Sequence, residues 1–122
     1  MNPAMPPQPG DAAAELLDQV LTPLLVDFQE SFERGLLLLE HCPVSVLAEA
    51  RQGELRQRLE EGLAGLSAAR LLRQAAPAPM ALDMATIQPW HQLVVEVWSL
   101  SAAMRAAGIR PPETASRAAG AD

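Results

Sequence analysis

The chain has 122 residues, room for one domain, and 49% of them are hydrophobic while only 3% are aromatic, with no Tyr. So few aromatic and β-branched residues exclude a core built on sheet and leave one of Leu, Val and Ala, as in helical bundles. Fifteen acidic residues against nine basic ones give a net charge of −6, which argues against binding to nucleic-acid backbones or anionic lipid surfaces.

Residues 1–10 hold four prolines and a glycine, which block helix and leave little apolar surface to offset ordering, so a disordered arm is predicted there. From Asp11 onward Leu17, Leu21, Leu24, Phe28, Phe32, Gly35 and Leu39 recur at three- and four-residue steps, which predicts one amphipathic helix over about 11–41. Pro23 lies inside it and allows two readings. Either Thr22 caps a fresh helix that Pro23 opens, or one long helix kinks there. The apolar stripe keeps its phase on both sides, so the first helix is kinked or broken near Pro23.

His41-Cys42-Pro43 ends that element, Ser45 is positioned to cap the next, and the short connection implies an antiparallel neighbour. In the second helix Leu55, Leu59, Gly62, Leu63, Leu66 and Ala69 hold one face, with Glu54 and Arg58 off it at the favourable i,i+4 spacing. Gly53, Gly62 and Gly65 either weaken this helix or permit close packing, and the former reading allows a break near Gly53. The stretch AAPAPMALD (75–83) reads as a linker, and the third helix starts near Met84 or at Pro89 and stops at Gly108, ahead of Arg110-Pro111-Pro112. Residues 109–122 are predicted to be a disordered tail. The expectation is an all-α fold: a three-helix antiparallel bundle over 11–108 with disordered N- and C-terminal tails.

A single cysteine, Cys42, cannot form an intramolecular disulfide, and with only His41 and His91 as imidazoles the chain offers no soft-ligand metal set. No cofactor is expected. The N-terminus lacks the basic and apolar regions of a secretory signal, and no run approaches the roughly 18 apolar residues of a membrane span. A soluble cytoplasmic protein is the expectation.

Charge is uneven: residues 11–40 hold seven acids and one Arg, residues 45–76 four acids and five Arg. Antiparallel packing then places Arg70 and Arg73 near Glu15 and Asp18. These two arginines fall on the apolar arc of the second helix, where they form either an anion site or packed stems whose heads reach those carboxylates. In the third helix Trp90, Val94, Val97, Ser101 and Met104 form a stripe, widened by Leu93 and Leu100 on one side and by His91, Val95 and Trp98 on the other. Such an arc suits an ordinary core, or leaves the His91, Val95 and Trp98 flank as a contact surface, since Trp is common among interface hot spots. His91 has the titration range of an acid or base but no partner assignable from spacing. The Cys42 thiol reads as buried more than as reactive. Val26, Leu37 and Leu71 stand outside the core pattern as a candidate dimer or partner face. No phosphate-cradling loop or nucleophile motif is present in the sequence.

The stretches VDFQESFERGLLLLE (26–40), LSAARLL (66–72) and QPWHQLVVEVW (88–98) resemble a small cyanobacterial family labelled protein of unknown function 2605. The resemblance spans about residues 16–106 and is sharpest at Pro89-Trp90-His91-Gln92-Leu93-Val94, followed by Glu96 and Trp98; the linker APAP departs from the family's glycine-containing form. It implies a cytoplasmic or thylakoid-associated protein of unassigned activity, supplies no catalytic residues, and draws attention to Trp90, His91, Gln92 and Trp98.

The functional expectation is a non-enzymatic interaction module, an adaptor, assembly or regulatory factor. It would meet a protein partner through the third helix (Trp90, His91, Gln92, Val95, Trp98) or the acidic face of the first, with a basic partner favoured. Homodimerisation is one form of this, nucleic acid is not expected as a partner, and membrane contact would be peripheral at most. A partner in the photosynthetic apparatus follows from the resemblance alone. The alternative is a small anion or ligand binder or enzyme using Arg70, Arg73 and His91, which requires those three side chains to converge.

Overall fold

In a computed structural model, which describes residues 9–75 and 84–113, the chain forms α1 (Pro9–Glu40), α2 (Glu49–Ala75) and α3 (Met84–Ala106). No strand occurs among the described residues. The fold is the all-α bundle that the Leu-rich periodicity implies, and the register of its contacts fixes its topology. Asp18 meets Arg73 and Phe32 meets Gly62, so α1 and α2 run antiparallel. Arg58 meets Glu96 while Gly62 lies against Leu93, so α2 and α3 do too. Phe28 packs on Trp90 and Gly35 on Val97, so α1 and α3 are parallel. Most helix-to-helix packing passes through α1, with α2 and α3 meeting far less.

α1 is unbroken through Pro23, which excludes the split at Thr22. Pro23 is solvent-exposed, so its ring does not disturb the buried face that carries Leu21, Leu25 and Phe28. Thr22 is no cap: its hydroxyl donates back to the Asp18 carbonyl at 3.0 Å, inside the helix. The helix also begins earlier than Asp11. Pro9 is its first residue, a position where the missing N–H costs nothing because that donor has no helical acceptor. The rest of the expected arm, 1–8, lies outside the described residues.

Leu17 heads the apolar stripe in the sequence, yet the core starts a turn later at Leu21, and Leu16 and Val20 are also exposed. Leu37 differs the other way. Read as a surface leucine, it is 6% exposed, whereas Leu71 is open to solvent.

The connection between α1 and α2 closes on Pro43, whose carbonyl accepts from the amides of Val46 (3.0 Å) and Leu47 (3.3 Å). Ser45 is inside that turn and does not cap α2, which starts four residues later at Glu49. The Gln52 side chain fixes the junction instead, donating to the carbonyls of Cys42 (3.1 Å) and Leu47 (2.9 Å). No break occurs at Gly53.

α3 starts at Met84 and carries Pro89 within its first turns. It ends where the sequence places the stop: Gly108 has φ +79°, its amide donates to the Arg105 carbonyl (3.0 Å), and the Ile109 amide donates to Met104 (2.9 Å). This is the Schellman pattern, completed by Ile109 packing against the core. The expected disordered tail therefore begins too early. Residues 109–113 have a defined path, and the Arg34 guanidinium donates to the carbonyls of Pro112 and Glu113. The remainder, 114–122, lies outside the described residues, as do 76–83 of the linker.

Phe32, Leu25, Leu38, Leu59, Leu66 and Met104 are the largest fully buried side chains. Two glycines bring the helices together around them. A Cβ on Gly62 would stand 2.8 Å from Phe32 Cε2 and 3.2 Å from Leu93 Cδ1, and one on Gly35 would stand 2.7 Å from Val97 Cγ2. Gly53, by contrast, has nothing within 4 Å. The same substitution should thus have opposite signs at two sites of one helix. Gly53→Ala should stabilise by about 0.5–1 kcal/mol through helix propensity. Gly62→Ala gains the same amount but meets a rigid buried ring, an overpacking cost of about 1–3 kcal/mol, and should destabilise on balance. Urea denaturation of the two variants checks this, and a rise in stability for both would mean that Phe32 yields.

Candidate functional site

α3 turns Trp90, Leu93, Val94, Val97, Leu100 and Met104 inward, and this settles which of the resemblance-carrying residues can face a partner. Trp90 is 7% exposed, its ring centroid is 5.9 Å from that of Phe28 at an interplanar angle of 59°, and Gly65 gives it room. It is a core residue and drops out of the contact surface. His91 and Gln92 are exposed, and Val95 (43%) and Trp98 (64%) lie open on the same flank. The His91 side chain has no hydrogen bond or ion pair with another described residue.

The outward face of α3 is almost free of charge. Of its exposed residues, among them Gln88, His91, Gln92, Val95, Trp98, Ser99 and Ala102, only Arg105 near the C-terminal end carries one. Glu96 is turned toward α2, where the Arg58 guanidinium meets its carboxylate at 2.6 and 2.9 Å. That hydrogen bond raises the Arg58 pKa above its ordinary value, against the opposing effect of burial. The result is a helix face presenting a large aromatic and a valine among neutral polar and small side chains, what a desolvating contact requires.

Arg70 and Arg73 line one cleft of about 240 Å³ with Asp18, Thr22, Leu25 and Val26, but His91 is not part of it. Their donors are committed elsewhere. Arg73 is ion-paired with the Asp18 carboxylate, and its Nη2 also donates to the Asp18 carbonyl (3.2 Å) and to Thr22 Oγ1 (3.2 Å). Its side chain is only 9% exposed, and its Nε is buried without a hydrogen-bond partner among the described residues. Arg70 donates to the Gln29 side-chain carbonyl, not to Glu15 or Asp18. The convergence of Arg70, Arg73 and His91 needed for an anion or catalytic site is absent, and the two arginines tie α2 to α1.

Cys42 is half-buried with its thiol toward the Pro43 carbonyl (3.5 Å), and burial pushes its pKa up, partly offset by a hydrogen bond with the Leu47 backbone. A raised pKa means less thiolate at neutral pH, the opposite of an activated nucleophile. Among the described residues no group of three His, Cys, Asp or Glu side chains could hold a metal ion, and no helix is long and apolar enough to cross a membrane.

These features define a small three-helix bundle whose polar network is mostly structural and whose third helix leaves an aromatic flank uncovered. Residues 11–106 match the model of a family described as protein of unknown function (DUF2605), and the chain belongs to that family. No curated protein and no solved structure matches it.

Proposed function

We propose that this protein is a non-enzymatic interaction module of the cytoplasm, an adaptor, assembly or regulatory factor, that meets a protein partner through the uncovered flank of α3. The observation that carries this reading is Trp98, 64% exposed beside Val95 on a helix face where Arg105 is the one charge. An indole left in water on a folded helix is the kind of residue that dominates binding energy once a partner desolvates it. The acids of α1 that remain open, Glu15, Asp27, Glu30, Glu33 and Glu40, would speed the approach of a basic partner, an effect that added salt removes. A cyanobacterial photosynthetic setting for that partner rests on the family resemblance alone and is proposed on that footing.

The test is affinity capture from native lysate with the wild type, Trp98→Ala and His91→Ala. Trp98→Ala should leave the melting curve within about 0.5 kcal/mol of wild type, as an exposed substitution does. It should reduce recovery of the specific partner by more than about tenfold, a loss of about 1.4 kcal/mol or more. Equal recovery by all three proteins would refute this surface.

A further inference from the structure

Parallel packing of α1 and α3 brings together arginines that lie far apart in the sequence. Arg34 from α1, Arg105 from the last turn of α3 and Arg110 from the segment after it line one cleft of about 410 Å³, with Ser101 beside them and Leu38, Ile109 and Pro111 as its apolar walls. None of the described residues lining it is acidic. We propose that this cleft is an oxyanion-binding site, taking the phosphate or carboxylate group of a small molecule.

The first support is electrostatic. In a chain of net charge −6, three of nine basic side chains converge on one cavity. Their mutual repulsion is relieved by an anion between them, and the guanidinium fork matches the planar or tetrahedral oxygens of carboxylate and phosphate. Elsewhere the buried or half-buried arginines Arg58, Arg70 and Arg73 each have a side-chain acceptor from the protein. Arg105 and Arg110 have none among the described residues. The negative end of the α3 dipole accounts for a cation at Arg105 but not for Arg34 or Arg110.

The second support is preorganisation. Both N–H groups of Arg34 Nη1 are used, on the carbonyls of Pro112 and Glu113, which leaves its Nε and Nη2 donors with no acceptor among the described residues. The same two bonds hold down the segment that carries Arg110, whose start is fixed by the Gly108 turn and by Ile109 in the core. The Arg34 head and the backbone that carries Arg110 are thus in place before any ligand arrives, so binding has only the Arg105 and Arg110 side chains left to order. Its volume is within the range of small-molecule sites.

The experiment follows the arginine Nε–Hε signals of the full chain by NMR during titration with inorganic phosphate, with acetate, and with sodium chloride at matched ionic strength. Saturable shifts are expected at Arg34, Arg105 and Arg110 with phosphate or acetate. The stronger of the two names the ligand's anionic group. Arg105→Gln and Arg110→Gln, both exposed and without a side-chain partner among the described residues, should each weaken that binding about tenfold or more, whereas Arg51→Gln should leave it unchanged. Shifts that follow ionic strength alone, that appear equally at Arg51 and Arg56, or that persist undiminished in Arg105→Gln would overturn the proposal. Loss of protein capture in Trp98→Ala bears on the α3 flank and leaves this result independent of it.

Discussion

Phe32→Ala is expected to cost about 3–5 kcal/mol, the loss typical of removing a buried aromatic. Phe32 is 0% exposed, its ring centroid is 6.1 Å from that of Phe28, and its edge fills the hollow over Gly62. The helix opposite cannot collapse into the space, because α2 and α1 are held at fixed separation by neighbours on both sides, Leu59 against Gly35 among them. A domain of this size is stable by only about 5–15 kcal/mol in total, so the variant loses a large share of it. Its melting temperature should fall by at least about 12 °C, followed by helical circular dichroism. Phe32→Leu combined with Gly62→Ala separates cavity from chemistry: the added methyl partly refills the hollow, so the pair should lose less than the sum of the two single variants. A Phe32→Ala protein that melts with the wild type would show that the helices are held together elsewhere.

Pro23→Ala should act in the opposite direction and stabilise the protein by about 2 kcal/mol. A proline in a helix interior removes one backbone donor and crowds the preceding turn, at about 3 kcal/mol. Alanine there also frees the unfolded chain, which returns up to about 1 kcal/mol. Because Pro23 is exposed, no packing is lost with it. Urea denaturation checks the sign. The informative exception would be a loss of stability in Pro23→Ala that vanishes when Asp18→Asn is already present. That pattern would mean that the proline directs the preceding turn so that Asp18 meets Arg73.

The fold was readable because burial leaves a period in the sequence. Leu21, Leu25, Phe28, Phe32 and Leu39 repeat at helical spacing, and Gly108 ends α3 since only glycine takes its positive φ without strain. Which part of α3 faces solvent was not readable. Its apolar arc spans more than half the helix, and Trp90 and Trp98 lie on it as chemical equals until the position of α1 buries one and leaves the other. Leu17 and Leu37 were misplaced for the related reason that periodicity says which residues share a face, not where a facing helix begins. The Pro23 split failed because propensity is local, whereas the apolar stripe continuing on both sides of the proline keeps one helix whole. The Arg34, Arg105 and Arg110 cleft left no signal at all. Its members share no spacing, and its geometry depends on two helices being parallel and on a chain segment that composition reads as tail.

That segment carries a consequence of its own. Arg34 holds it by the carbonyls of Pro112 and Glu113, atoms that every amino acid supplies. The path of the chain is therefore fixed through main-chain atoms, without calling for a particular side chain at the two carbonyls that Arg34 holds. Constancy is demanded instead of a residue far upstream, near the C-terminal end of the first helix.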